Sequence, residues 1–152
     1  TLDRSSAASD VYKRQVIKTP KIYFMDVGLL AYLTKWPTPE TLANGAKAGN
    51  IFETFIVSEI VKSYLNAGII NPPLYFYRDK DKKEIDLIIE EAEKIYPIEI
   101  KMSASPNKEM AKNFSVLKRK IDKEIGTGII ICQYDNKVYL SEDILVLPIE
   151  YI

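Results

Sequence analysis

The chain has 152 residues, the size of one ordinary domain, and its 47% apolar content is enough to bury a core. Lys plus Arg and Asp plus Glu number 21 each, which argues against a strong non-specific nucleic-acid binder but leaves room for an enzyme that meets phosphate through a metal ion. Histidine is absent and cysteine occurs once, at Cys132, so Ser-His and Cys-His catalysis, His-based zinc sites and an internal disulfide framework are excluded, and any metal site must use oxygen ligands, favouring Mg2+, Mn2+ or Ca2+.

The lone cysteine suits a cytosolic protein. No apolar run approaches transmembrane length and no signal peptide is visible, so a cytoplasmic chain with no membrane partner is expected. Cys132 lies in an apolar run and reads as a small buried hydrophobe.

Thr1–Gln15 has few apolar residues and no clean period, and Asp10-Val11-Tyr12-Lys13-Arg14-Gln15 is what a common sequencing adapter encodes in frame. Residues 1–15 are therefore read as a sequence artefact or a disordered tail, outside the fold. Lys21–Met25 alternates and is rich in β-branched and aromatic residues, predicting a short strand. Asp26 is placed to cap a helix from Val27 to Leu33, which Pro37 and Pro39 end, and the stretch to Gly49 is expected to be loop.

Asn50 is the expected cap of a second helix, Ile51 to Leu65, with Phe52, Phe55, Ile56, Ile60 and Tyr64 at helical spacing and Gly68 closing it. Three strand-like runs follow, at Leu74–Arg78, Glu84–Glu90 and Ile95–Met102. After Pro106, a helix is expected from Asn107 to about Ile121, with Met110, Phe114, Leu117 and Ile121 on one face. Ile129–Cys132 is a continuous apolar run of the kind found in buried parallel strands, and Lys137–Leu140 and Ile144–Ile149 are expected as edge or closing strands. Short connections make the first three strands an antiparallel meander, and the crossover helix makes the next strand parallel. The expected fold is α/β (α+β): a small mixed sheet, three-stranded meander plus a parallel strand, flanked by helices on both faces.

The chemistry concentrates in the second and third strands. Strand alternation places Ile85, Leu87 and Ile89 with Tyr96, Ile98 and Ile100 on one core face, and Glu84, Asp86, Glu99 and Lys101 on the other. If the hairpin turns symmetrically about Ala92-Glu93, Asp86 stands opposite Glu99 and Glu84 opposite Lys101. Opposed residues have Cβ atoms roughly 4.5–5.5 Å apart. Two carboxylates that close repel unless a proton or a cation lies between them, and a divalent ion there could polarise a phosphodiester and activate water. Lys101 points the same way and could stabilise the developing charge. On pattern alone, the same residues also fit the solvated face of a hairpin carrying a surface ion pair.

Asp86, then twelve residues, then Glu99-Ile100-Lys101, in strand–strand–helix order, resembles the active-site motif of the PD-(D/E)XK nuclease superfamily, with Ile85 standing where the proline would be. Further blocks widen the resemblance. Lys21-Ile22-Tyr23-Phe24-Met25-Asp26-Val27-Gly28-Leu29-Leu30, Gly49-Asn50-Ile51-Phe52-Glu53, Phe76-Tyr77-Arg78 and Ile98-Glu99-Ile100-Lys101 with Ser103 are similar to the uncharacterised C-terminal domain of prokaryotic AAA+ ATPases, itself similar to that superfamily. The resemblance runs from Thr19 to the C-terminus. It implies a restriction-endonuclease-like fold, a Mg2+ or Mn2+ site held by Glu53, Asp86 and Glu99 (with Glu59 as a second helical candidate), catalysis by Asp86, Glu99 and Lys101, and phosphate contacts from Arg78 with Ser103. Residues 16–48 then form a linker and strand–helix block joining an upstream ATPase domain, and residues 49–152 the nuclease-like domain. The loop at Gly45-Ala46-Lys47-Ala48-Gly49 lacks the spacing that cradles phosphates, so no ATP site is expected in this chain. Two functions compete: metal-dependent hydrolysis of DNA phosphodiesters, or a catalytically inactive regulatory or partner-recognition domain of an AAA+ ATPase.

Overall fold

A computed structural model describes residues 20–152, and the segment read as an artefact or tail lies outside them. The chain forms α1 (Val27–Leu33), α2 (Pro39–Ala43), α3 (Ala48–Asn66), β1 (Leu74–Arg78), β2 (Glu84–Glu91) and β3 (Lys94–Lys101). A 3-10 helix, Lys108–Arg119, then leads to β4 (Glu124–Ile125), β5 (Gly128–Cys132), β6 (Val138–Ser141), β7 (Ile144–Pro148) and a closing 3-10 turn, Ile149–Tyr151. The strands make one sheet in the order β1-β2-β3-β5-β7-β6, with the short β4 paired to the start of β3.

β1, β2 and β3 form the antiparallel meander, and β5 runs parallel to β3. The sheet is wider than expected. β7 is not a closing strand but an internal one, parallel to β5 along its length, and β6 is the antiparallel edge. Its residues Leu145, Val146 and Leu147 are apolar without alternation, as a strand covered on both faces requires.

Each face of the sheet carries its own apolar layer. α3 covers one face, where Ile56, Val57 and Ile60 pack on Leu87, Ile98, Ile100 and Ile131. The 3-10 helix covers the other, where Ala111, Phe114 and Leu117 pack with Ile85, Ile88, Ile95, Ile130 and Val146. Each isoleucine so buried contributes about 1.5–3 kcal/mol relative to exposure. The expected α-helix after Pro106 is 3-10 throughout, and its buried residues, Ala111, Phe114 and Leu117, sit three apart. Three residues per turn stacks such a set in a single line. Phe114 of this line lies over Gly128 at the start of β5, where a Cβ would collide with its ring.

Three local expectations are corrected. Lys21–Met25 forms no strand; it lies as a strap without ladder pairing, Lys21 and Tyr23 turned inward and Ile22 and Phe24 outward. The stretch before Gly49 contains α2, started by Pro39 and a reciprocal Thr38–Thr41 capping box. α3 begins at Ala48 with Lys47 at its N-cap, so Asn50 lies inside the helix. Asp26 does cap α1, accepting the Leu29 amide at 2.9 Å, and Gly68 follows α3 at φ 81°, the left-handed conformation a closing glycine supplies.

The β2–β3 register is the symmetric one, with Leu87 opposite Ile98 and Glu91 opposite Lys94 across the two-residue turn Ala92-Glu93. The single-face assignment of Ile85, Leu87 and Ile89 is corrected by a bulge. Tyr75 pairs with Ile88 but Tyr77 with Ile85, so Asp86 and Leu87 together lie across from Phe76 alone. An extra residue reverses the alternation. Ile85 therefore enters the layer under the 3-10 helix while Leu87 enters the layer under α3.

Candidate metal centre at the bulge

The bulge turns Asp86 out of the regular ladder, and its Oδ2 accepts the Ile100 amide of β3 at 2.9 Å. Glu99 precedes Ile100 on β3, and Lys101 follows. The Lys101 ammonium lies 2.6 Å from Glu99 Oε1 and 3.5 Å from Asp86 Oδ2. These acids are not the wet face of a hairpin: Asp86 and Glu99 are both only 6% exposed. No described atom donates to Glu99 Oε2, a buried carboxylate oxygen without a hydrogen-bond partner. Such an orphan is costly unless a proton or a cation meets it.

A second group of acids lies on the other side of Asp86. Glu53 reaches in from α3 and Glu84 from the start of β2, and one oxygen from each of Glu53, Glu84 and Asp86 lies within 4.8 Å of the others. Glu84 is held by Arg78, whose Nε and Nη2 donate to its two oxygens at 3.1 and 3.0 Å, and by the 3-10 helix, where Asn113 Nδ2 donates to the Glu84 carbonyl. The expected Glu84–Lys101 pair is absent among the described residues: Arg78 and Lys21 pair with Glu84, and Lys101 pairs with Glu99 and Asp86.

The strap completes the cluster. The Lys21 ammonium bonds Glu53 Oε1 at 2.7 Å, pairs closely with Glu84 and stands 3.7 Å from Asp86 Oδ1. Tyr23 Oη donates to the same Glu53 oxygen at 2.8 Å. These groups line a cleft of about 390 Å3 with Asn50 and Thr54.

Charge explains the protonation behaviour. Among the described residues, Glu53, Glu84, Asp86 and Glu99 pair with Lys21, Arg78 and Lys101, four carboxylates against three cations. Burial, and then the nearby Asp86 charge, push the Glu99 carboxyl up to about 7 despite Lys101 beside it. Burial also raises Asp86, against the Ile100 amide and Lys101, which pull it down. Glu84 is lowered, because the hydrogen bonds from Arg78 and Lys21 together outweigh its burial. Burial works against the Lys21 ammonium, but the bonds to Glu53 and Glu84 overcome it and hold that proton more firmly than usual.

Of the residues singled out from sequence, Asp86, Glu99 and Lys101 come together, and Glu53 and Arg78 meet on the far side of Asp86. Glu59 points elsewhere, to Lys62 at 2.7 Å. The Ser103 hydroxyl accepts the Ser105 amide at 3.2 Å, a turn contact in the loop after β3. Sequence reading missed Lys21 as a member of the cluster, and it set Glu84 on the face of Asp86, Glu99 and Lys101 without making it a ligand. Its nearest signal was the alternation of Lys21 and Tyr23 before Asp26.

Among the described residues, no helix is long and apolar enough to cross a membrane. The chain is similar to an uncharacterized protein of Mycobacterium tuberculosis and to one of Mycobacterium bovis. Each is 26% identical over 145 residues, covering 95% of this chain and 30% of the relative. The chain thus spans less than a third of the length of these curated relatives. Residues 48–152, from the start of α3 to the C-terminus, match the profile of one protein family. By that match the chain belongs to the family described as Domain of unknown function (DUF4143).

Proposed function

We propose that this domain is a metal-dependent, nuclease-like module of the PD-(D/E)XK kind, acting on DNA phosphodiesters as the C-terminal part of a cytoplasmic AAA+ ATPase. The observation that carries the reading is the buried Asp86–Glu99 pair with Lys101 against it and one Glu99 oxygen unpartnered. The donor set fits Mg2+ or Mn2+: every available group is a carboxylate, and the orphaned oxygen calls for a cation. Glu53, Asp86 and Glu99 would hold the ion. When bound, it would supply Lewis acidity toward a phosphoryl oxygen and lower the pKa of a bound water.

The chain's own groups do the rest. Asp86 is fixed by the Ile100 amide, so its carboxylate is oriented before anything binds. Lys101, 42% exposed at its side chain, is the cation that can leave its carboxylates and meet charge building on phosphate. Arg78, held on Glu84 at the mouth of the cleft, is placed to take a phosphate oxygen with its remaining donors.

A second reading, a catalytically inactive regulatory or partner-recognition domain of the ATPase, is favoured by a different observation. Ile22 is 84% exposed and Tyr32 78%, with Leu29 and Leu33 open beside them, an apolar surface on the strap and α1 suited to a neighbouring domain. Plasmid cleavage with Mg2+ or Mn2+ separates the two. Wild type should cut, Asp86→Ala should not, and Lys101→Ala should lose cleavage while still binding metal. Equal cutting by all three would assign the activity to a contaminant, and no cutting by wild type, even with the ATPase restored, would establish the regulatory reading.

A further inference from the structure

Lys21 stands where a metal ion would. Its ammonium touches two of the three acids that converge between α3 and β2 and lies within 3.7 Å of the third. It also sits near the Tyr23 and Phe76 rings, 5.9 and 5.7 Å from their centroids. A lysine with that many partners is a counter-ion, and this one arrives on a segment that is not part of the sheet. The strap makes no ladder pairing, Ile22 is open to solvent, and Tyr23 supplies one hydrogen bond and a partial apolar contact with the layer under α3. Among the described residues, its hold on the domain is the ion pairs of Lys21 together with these contacts of Tyr23. On the other side of Asp86 the unpartnered Glu99 oxygen, in a residue more than nine-tenths buried, independently marks a place short of positive charge.

We propose that Lys21 is a built-in counter-ion occupying a divalent-cation position formed by Glu53, Glu84 and Asp86, so that metal binding and docking of the strap exclude each other. This rests on the metal-site reading above and adds Glu84 as a ligand and the strap as its gate. A divalent ion wins the exchange because it brings two charges, where Lys21 brings one, to the three converging carboxylates. Once displaced, the strap carries Tyr23 away with Lys21 and uncovers Glu53, which both of them cover in the docked state. The cleft is then open on the side from which a phosphate would enter.

The test is direct binding of Mn2+ by the 152-residue chain, followed by calorimetry and by the paramagnetic signal of free Mn2+. Lys21→Met should bind Mn2+ at least tenfold more tightly than wild type, and Lys21→Arg, which keeps the charge, should stay near wild type. Asp86→Asn should bind in neither background. In wild type, added Mn2+ should speed tryptic cleavage after Lys21, whose side chain is only 12% exposed while docked. Equal affinity in wild type and Lys21→Met, with binding still lost in Asp86→Asn, would overturn the gate and leave the metal site standing. No binding in any variant, all of them folded by circular dichroism, would overturn the metal site and the gate together.

Discussion

Two aspartates seven residues apart, Asp79 and Asp86, are both nearly inaccessible, 8% and 6% exposed, and they do opposite things. Asp79 closes the β1–β2 loop. Its Oδ1 accepts the amides of Asp81 and Lys83 at 2.9 and 3.0 Å, and Tyr77 Oη donates to Oδ2 at 3.2 Å. The donors come from its own loop and the strand before it, so the acid is a brace. Asp86 accepts one amide, has the Lys101 and Lys21 ammonium groups at 3.5 and 3.7 Å, and shares them with Glu53, Glu84 and Glu99. A buried carboxylate surrounded by amides stabilises a fold, whereas one surrounded by carboxylates strains it and is retained for what it can bind.

The comparison is most exposed to failure at Asp79. Asp79→Ala should cost about 3 kcal/mol in urea or thermal unfolding, since two loop amides and a buried hydroxyl lose their acceptor. A cost below about 1 kcal/mol would mean the loop holds itself through its backbone, with Lys82 at φ 60°, and that the brace is decorative.

Glu99 is the next largest effect and has the opposite sign. In the unfolded chain its carboxyl releases a proton near 4.5, and in the fold near 7. Between those values the folded state holds more protons than the unfolded one, so stability falls as pH rises through the window and stays lower above it. Glu99→Gln, assayed in chelator, should be more stable than wild type at pH 8 by on the order of 2 kcal/mol and should lose that part of the pH dependence. A Gln variant less stable than wild type at pH 8 would show that the Lys101–Glu99 pair outweighs the repulsion.

The smallest expected change is at Asp86 itself. Asp86→Asn keeps an acceptor for the Ile100 amide and removes one of the crowded charges, so metal-free stability should move by no more than about 1 kcal/mol. Placed beside the Asp79→Ala result, that near-silence would separate the two acids cleanly. A loss comparable to that of Asp79→Ala would make Asp86 a second brace.

The hairpin register was legible because apolar and polar residues alternate on both flanks of a two-residue turn, and slipping by one would have moved Ile98 and Ile100 off the face of Leu87. Ala92, at φ 52°, supplies the positive dihedral such a turn needs without the glycine that usually announces it. The bulge at Asp86-Leu87 was not legible, since nothing in Glu84-Ile85-Asp86-Leu87-Ile88 differs from a regular strand; the mismatch exists only relative to β1. Lys21 escaped for a related reason. Its partners lie 32 residues and more away along the chain, and an ion pair leaves no period in either segment. The 3-10 helix reads both ways: Phe114, Leu117 and Ile121 fit a period of 3.6, and only burial of Ala111 with Phe114 and Leu117 selects three.

Trp36 is the only tryptophan. It lies in the connection between α1 and α2 with its ring against Gly45, where a Cβ would strike it, and it belongs to neither apolar layer of the sheet. Its emission therefore reports first on the corner around Gly45, while the strands have their own signature in the far-ultraviolet dichroism. A fluorescence melt that precedes the dichroism melt would show that corner opening on its own, ahead of the sheet.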